Sequence, residues 1–125
     1  MENVTSKEHI TLALDDFEES YKKELDEDKI VNYMTAFGFI IFSGREKTIE
    51  PAGEVMGIAV GMLLGSNEQE RAEIRKTIDK AYKIRNARVH GNIKKIYERG
   101  LSNVRQVSLD TEECLRRTLR KFTEE

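Results

Sequence analysis

The residues best equipped for chemistry lie together in the run Tyr82-Lys83-Ile84-Arg85-Asn86-Ala87-Arg88-Val89-His90-Gly91. An unperturbed histidine titrates near neutral pH, which suits His90 to proton transfer. A guanidinium offers a planar fork of donors to anionic oxygens, which suits Arg85 to a charged ligand. On a helix turning about 100° per residue, Asn86 and His90 are four apart and share a face. Arg85 and His90 are five apart, roughly 140° around the axis, so one straight helix does not aim both at one atom. They converge if His90 sits at a frayed end, or if a second copy of the helix packs alongside. A composite site across a two-fold axis follows from the second case. Plain structural roles fit the same spacing. A His before a terminal Gly can serve the helix C-terminal carbonyls, and an Arg can pair with an acid on a neighbouring helix.

The helix carrying this run is expected from about residue 68 to His90. Asn67 or Ser66 caps its start, Glu68 and Glu70 occupy its first turn, and Gly91 supplies a left-handed stop. Its inward stripe reads Ile74, Ile78, Ala81, Arg85 and Val89. Arg85 then falls where the pattern wants an apolar residue, a costly placement unless it is paired or lines a polar cleft.

Other helices must hold this one in place. Residues 8–22 carry Ile10, Leu14 and Phe17 on one stripe, and residues 28–43 are apolar around most of the circumference. A strand over Phe37–Phe42 is the competing reading, but no partner strand exists. The second helix is thus central to the core or to an oligomer interface. Residues 43–51 read as a loop. In the helix at 52–65, Gly53, Gly57, Gly61 and Gly65 recur at every fourth position. Each costs about 1 kcal/mol relative to Ala, so four on one face suggest a groove that another helix backbone approaches closely. A short helix is expected over 93–99. The last helix starts at Ser108, with Asp110 and Glu113 as a capping box. It turns Leu115, Leu119 and Phe122 inward and Arg116, Arg117, Arg120 and Lys121 outward. The expected fold is all-α: one compact bundle of about five helices over residues 1–125.

Composition agrees with a small charged bundle: 125 residues, 38% hydrophobic and 35% charged. The longest apolar stretch, Val55 to Leu64, falls well short of the roughly 20 residues of a spanning helix, so no membrane partner is expected. One cysteine, Cys114, two histidines and no signal-peptide core point to a reducing cytoplasm and no structural zinc. Asp15-Asp16 with Glu18-Glu19, and Asp26-Glu27-Asp28, read as solvated faces or a loop rather than as metal ligands.

The net charge of −2 conceals a polarised chain. Residues 1–50 hold 12 acidic against 6 basic side chains, whereas residues 71–105 hold eleven Lys/Arg against Glu73, Asp79 and Glu98, a net of +8. Such a segment can attract a polyanion, or neutralise an acidic helix of the same domain.

The Arg85-Asn86-Ala87-Arg88-Val89-His90 run resembles the HEPN domain family, all-α proteins with an Arg-x(4–6)-His motif, and most closely its Apea-like branch. The resemblance covers about residues 28–122. It includes Val31-Asn32-Tyr33-Met34-Thr35-Ala36, the apolar helix at 55–64, Glu70-Arg71, the motif through Val89-His90-Gly91, and Leu115-Arg116-Arg117-Thr118-Leu119. One position departs: where the branch often carries a Glu after an Ala-Leu pair, this chain reads Ala36-Phe37-Gly38, which leaves Arg85 without the partner such an acid would give.

The resemblance implies a homodimeric, metal-independent endoribonuclease with no cofactor, of toxin or defence type, held in check by an antitoxin or regulatory protein. His90 would move the proton in attack of a ribose 2′-OH on the adjacent phosphate, leaving a 2′,3′-cyclic phosphate. Arg85 would neutralise the phosphorane, and Asn86 would hold the phosphate or orient the imidazole. Arg71, Arg75, Lys76, Lys80, Lys83, Arg88, Lys94, Lys95 and Arg99 would track RNA, and Tyr82 and Tyr97 either stack on bases or pack in the core. Two alternatives stand beside it. One is a HEPN module that binds RNA, a nucleotide or a protein without turnover. The other is a structural helical dimer in which Arg85 pairs with an acid and His90 caps its helix.

Overall fold

A computed structural model describes residues 7–42, 52–91, 94 and 103–123. All regular structure among them is helical: α1 (Lys7–Ser20), α2 (Asp26–Phe42), α3 (Ala52–Leu64), α4 (Glu68–Val89) and α5 (Val104–Thr123). The loop read at 43–51 and the short helix read at 93–99 lie outside the described residues, apart from Lys94. No helix among the described residues is long and apolar enough to cross a membrane.

Helix α2 opens with Asp26, Glu27 and Asp28, three acids at the positive end of its macrodipole. These residues are its half-buried first turn, not a loop or a fully solvated face. It then buries Ile30, Tyr33, Met34, Ala36, Phe37 and Ile40. The Phe37–Phe42 segment is helical, and its apolar circumference is used within the chain, since α2 touches all four other helices. Helix α1 runs antiparallel to it. Asn32 donates to the Asp16 carbonyl at 3.2 Å, while His9 meets Phe39 further along, with ring centroids 6.4 Å apart. The Tyr33 hydroxyl, buried between them, hydrogen-bonds Ser20 of α1 and Ser108 of α5, so its polar atom is satisfied.

The glycines of α3 meet α4. A Cβ on Gly57 would stand 3.2 Å from Arg75 Cγ and 3.4 Å from the Arg75 carbonyl oxygen, and one on Gly61 would stand 3.0 Å from the Arg71 carbonyl oxygen. Only hydrogen at these positions lets the two backbones lie so close. The α3–α4 contact is the most extensive in the fold.

Helix α5 begins at Val104, not at Ser108. Ser108 is buried, and Asp110 accepts from Gln106 Nε2 at 2.9 Å in the helix interior rather than forming a capping box. The buried stripe is Val104, Val107, Ser108, Thr111, Cys114, Leu115, Thr118 and Leu119, at helical three-and-four spacing. Three of its members are hydroxyl residues. Thr111 and Thr118 satisfy themselves by donating to the carbonyls four residues back, Val107 at 2.6 Å and Cys114 at 2.8 Å. Leu115 and Leu119 face inward as expected, but Phe122, beyond the end of the stripe, is exposed. Arg116 lies half-buried over the Phe17 ring, bonded to Glu112 and Glu113, and Arg117 donates to the Leu64 carbonyl at the end of α3.

Candidate functional site

Both ends of α4 are set by local chemistry. Asn67 is the N-cap, its side chain accepting the Glu70 N–H at 2.9 Å, and Glu70 reaches back to accept the Ser66 N–H at 2.8 Å. Hydrogen bonding from Ser66 stabilises the Glu70 carboxylate and holds its pKa below the ordinary value. At the other end His90 is the C-cap, its N–H bonded to the Asn86 carbonyl at 3.0 Å. Gly91 then turns left-handed at φ 75° and donates to the Arg88 carbonyl at 3.2 Å. The candidate triad thus occupies the last turn and the cap.

The inward stripe of α4 is Ile74, Ile78, Ala81 and Ile84. Ile84, not Arg85, continues the stripe, and Val89 is half exposed, so the expectation that both Arg85 and Val89 face the core is corrected. A helical stripe can step by three or by four residues, and docking of α4 takes the step of three from Ala81. Arg85 therefore flanks the core, half-buried. Its Nη1 donates to Asn86 Oδ1 at 2.8 Å, and its guanidinium carbon lies over the Tyr82 ring, 5.7 Å from the centroid. Among the described residues no carboxylate pairs with it. Tyr82 in turn packs against Gly53, where a Cβ would stand 2.5 Å from its Cδ2. Asn86 is the hinge of the group, accepting Arg85 on its side chain and His90 on its backbone. The His90 side chain is exposed.

An acid of α2 does reach this end of α4, but it takes the neighbouring arginine. Arg88 donates Nε to Asp28 Oδ1 at 2.7 Å and Nη2 to Asp28 Oδ2 at 3.3 Å, both side chains half-buried. The Asp28 hydrogen bonds and charge push the Arg88 pKa up. Asp28, expected on a solvated face or loop, is thus the partner of a cation 60 residues away, a pairing that no local spacing announces. At Gly38, the position where the resemblance implies a Glu, an added Cβ would meet no atom of the described residues within 4 Å.

The expected cationic track divides. Arg75, Lys76 and Lys83 are exposed on α4; Arg75 faces Glu54 at 3.4 Å and Lys83 faces Asp79 at 3.1 Å, each pair open to solvent. Arg88 is engaged by Asp28. Lys94 is exposed, and Lys95, Tyr97 and Arg99 lie outside the described residues. Arg71 is half-buried against Gly61 and Gly65. Between α3 and α4 lies an open cleft of about 480 Å³, walled by Gly53 and Glu54 on one side and Arg75, Lys76, Tyr82 and Lys83 on the other. The residue spacing did not single it out, because it needs the glycine face of α3 seated on α4.

Comparison of the chain with models of protein families, with curated proteins and with solved structures returns no match.

Proposed function

We propose that this protein is a HEPN-type ribonuclease, cleaving RNA through its ribose 2′-OH without a metal, as a homodimer of toxin or defence type acting in the cytoplasm. The observation that carries the reading is the state of Arg85. Its guanidinium is held by a neutral amide and an aromatic ring, with no carboxylate partner among the described residues, so its positive charge remains available to a phosphate. An acid of this chain paired with Arg85 would have engaged that charge, as Asp28 engages Arg88.

In the proposed reaction His90 takes the 2′-OH proton as the 2′-oxygen attacks phosphorus. Arg85 neutralises the charge growing on the phosphorane oxygens. The phosphorus–5′-oxygen bond breaks and the leaving oxygen takes up a proton, giving a 2′,3′-cyclic phosphate and a 5′-hydroxyl. Arg85 and His90 make no contact with each other among the described residues, and a second α4 across a two-fold axis would complete each site. Purified protein should cleave single-stranded RNA in EDTA, leave the all-deoxy strand intact, and lose activity in both Arg85→Ala and His90→Ala. If wild type and both variants act alike on RNA, the catalytic reading fails. A monomer mass by light scattering at micromolar concentration refutes the composite site. A second reading, an RNA-binding module without turnover, is favoured by one observation: among the described residues nothing hydrogen-bonds the His90 ring to orient it. Salt-dependent RNA binding with no cleavage would establish it.

A further inference from the structure

The α3–α4 cleft shares one face of α4 with Asn86 and His90 of the proposed site, while Arg85 stands about 140° around the axis from His90 and meets the cleft only through Tyr82. Ala72, Asp79 and Lys83 line the cleft at intervals of seven and four, and Asn86 and His90 continue the same row by three and four. At about 100° per residue these five positions fall within a narrow sector, some 40–60° wide. The inward stripe of Ile74, Ile78, Ala81 and Ile84 lies on the opposite side of the helix. The cleft is therefore an approach along α4 to its C-terminal end.

We infer that this cleft is the docking subsite for the phosphodiester backbone of single-stranded RNA. The inference rests on the RNA reading above but not on turnover. Arg75, Lys76 and Lys83 stand at its rim. The ion pairs Arg75–Glu54 and Lys83–Asp79 are exposed on both sides, so they contribute little and exchange readily for a phosphate. Tyr82 forms the wall. Gly53 closes against part of its ring and the Arg85 guanidinium lies over it, so a base that stacked there would compete with Arg85. The cleft thus reads charge and backbone, and its binding is independent of sequence. The shared Tyr82 places a docked strand one side chain from Arg85.

The test uses the full chain in a His90→Ala background and a short fluorescein-labelled single-stranded RNA of mixed sequence, read by fluorescence anisotropy across salt concentrations. Lys76→Ala with Lys83→Ala should weaken binding about tenfold or more and flatten the log–log salt slope by about 1.4, from ~0.7 per phosphate contact on a single strand. The charge-matched pair Arg105→Ala with Lys121→Ala, both exposed on α5, should change binding far less. Ala72→Phe, which fills the cleft from an exposed position and alters no charge, should weaken binding as well. The inference is overturned if Ala72→Phe binds like the parent, if the two double variants weaken binding equally, or if the parent binds no RNA. Cleft-dependent binding by a chain whose wild type cleaves nothing would refute the ribonuclease reading and leave the subsite standing. Cleavage with cleft-independent binding would do the reverse.

Discussion

Two glycine-to-alanine substitutions should act in opposite directions, because α3 and α2 use their glycines differently. Ala is better than Gly inside a helix by about 1 kcal/mol when nothing else changes. At Gly38 nothing else changes: the residue is helical, and an added Cβ meets no atom of the described residues within 4 Å. Gly38→Ala should stabilise by about 0.5–1 kcal/mol. At Gly61 the new Cβ would stand 3.0 Å from the Arg71 carbonyl oxygen and 3.7 Å from the Arg71 carbonyl carbon and Cα. All three atoms are backbone of a packed helix, so the clash relaxes only if α3 moves off α4. Overpacking of that kind costs about 1–3 kcal/mol. After subtracting the helix-propensity gain, Gly61→Ala should destabilise by about 1 kcal/mol, and by ~2 at most. For a chain of this size each kcal/mol moves the midpoint by about 3–5 °C, so the two variants should melt roughly 5–10 °C apart. Helical circular dichroism during heating and in urea measures this, with unchanged urea slopes showing that the same surface unfolds. The reasoning is refuted if Gly61→Ala is as stable as wild type, or if Gly38→Ala is less stable.

Two further outcomes follow from specific contacts. Asp28→Ala and Arg88→Ala should each lower stability, and the double variant should lose no more than the worse single, since both remove one bidentate pair; strictly additive losses in urea unfolding would show that the pair does not couple. Burial pushes the Cys114 thiol up to about 11. An acid whose folded pKa is raised loses stability as pH climbs past its unfolded value, so urea stability should fall above about pH 9. That fall should shrink in Cys114→Ala, and native Cys114 should react with a disulfide reagent at pH 8 far more slowly than the unfolded chain; equal rates would contradict its burial.

Much of the architecture is legible in local chemistry. Asn67 caps α4 because a short side-chain oxygen reaches the Glu70 N–H. Gly91 ends it because the chain turns left-handed there. The fourfold glycine spacing announces a close helix–helix approach, and α4 occupies it. Such signals act within about four residues, so one sequence is enough to read them. The start of α5 is not legible in that way. Ser108, Thr111 and Thr118 look like surface or cap residues; they become core residues when neighbouring helices seal over them, Thr111 and Thr118 already satisfied by their own helix and Ser108 bonded to Tyr33 of α2.

For the candidate site, the residue types and the helix that carries them were determined by sequence alone: Arg85, Asn86 and His90 at the C-terminal end of α4, with cations along its length. Tertiary structure decided which cations are paired with a carboxylate and which residue enters the core. The α4 periodicity permits either Ile84 or Arg85 to follow Ala81, and packing selects Ile84. The basic residues look equivalent in one dimension, yet Asp28 neutralises Arg88 from 60 residues away while Arg85 meets only an amide and a ring. Periodicity and caps are local and belong to the chain; burial and charge pairing are long-range and belong to whatever the fold brings opposite.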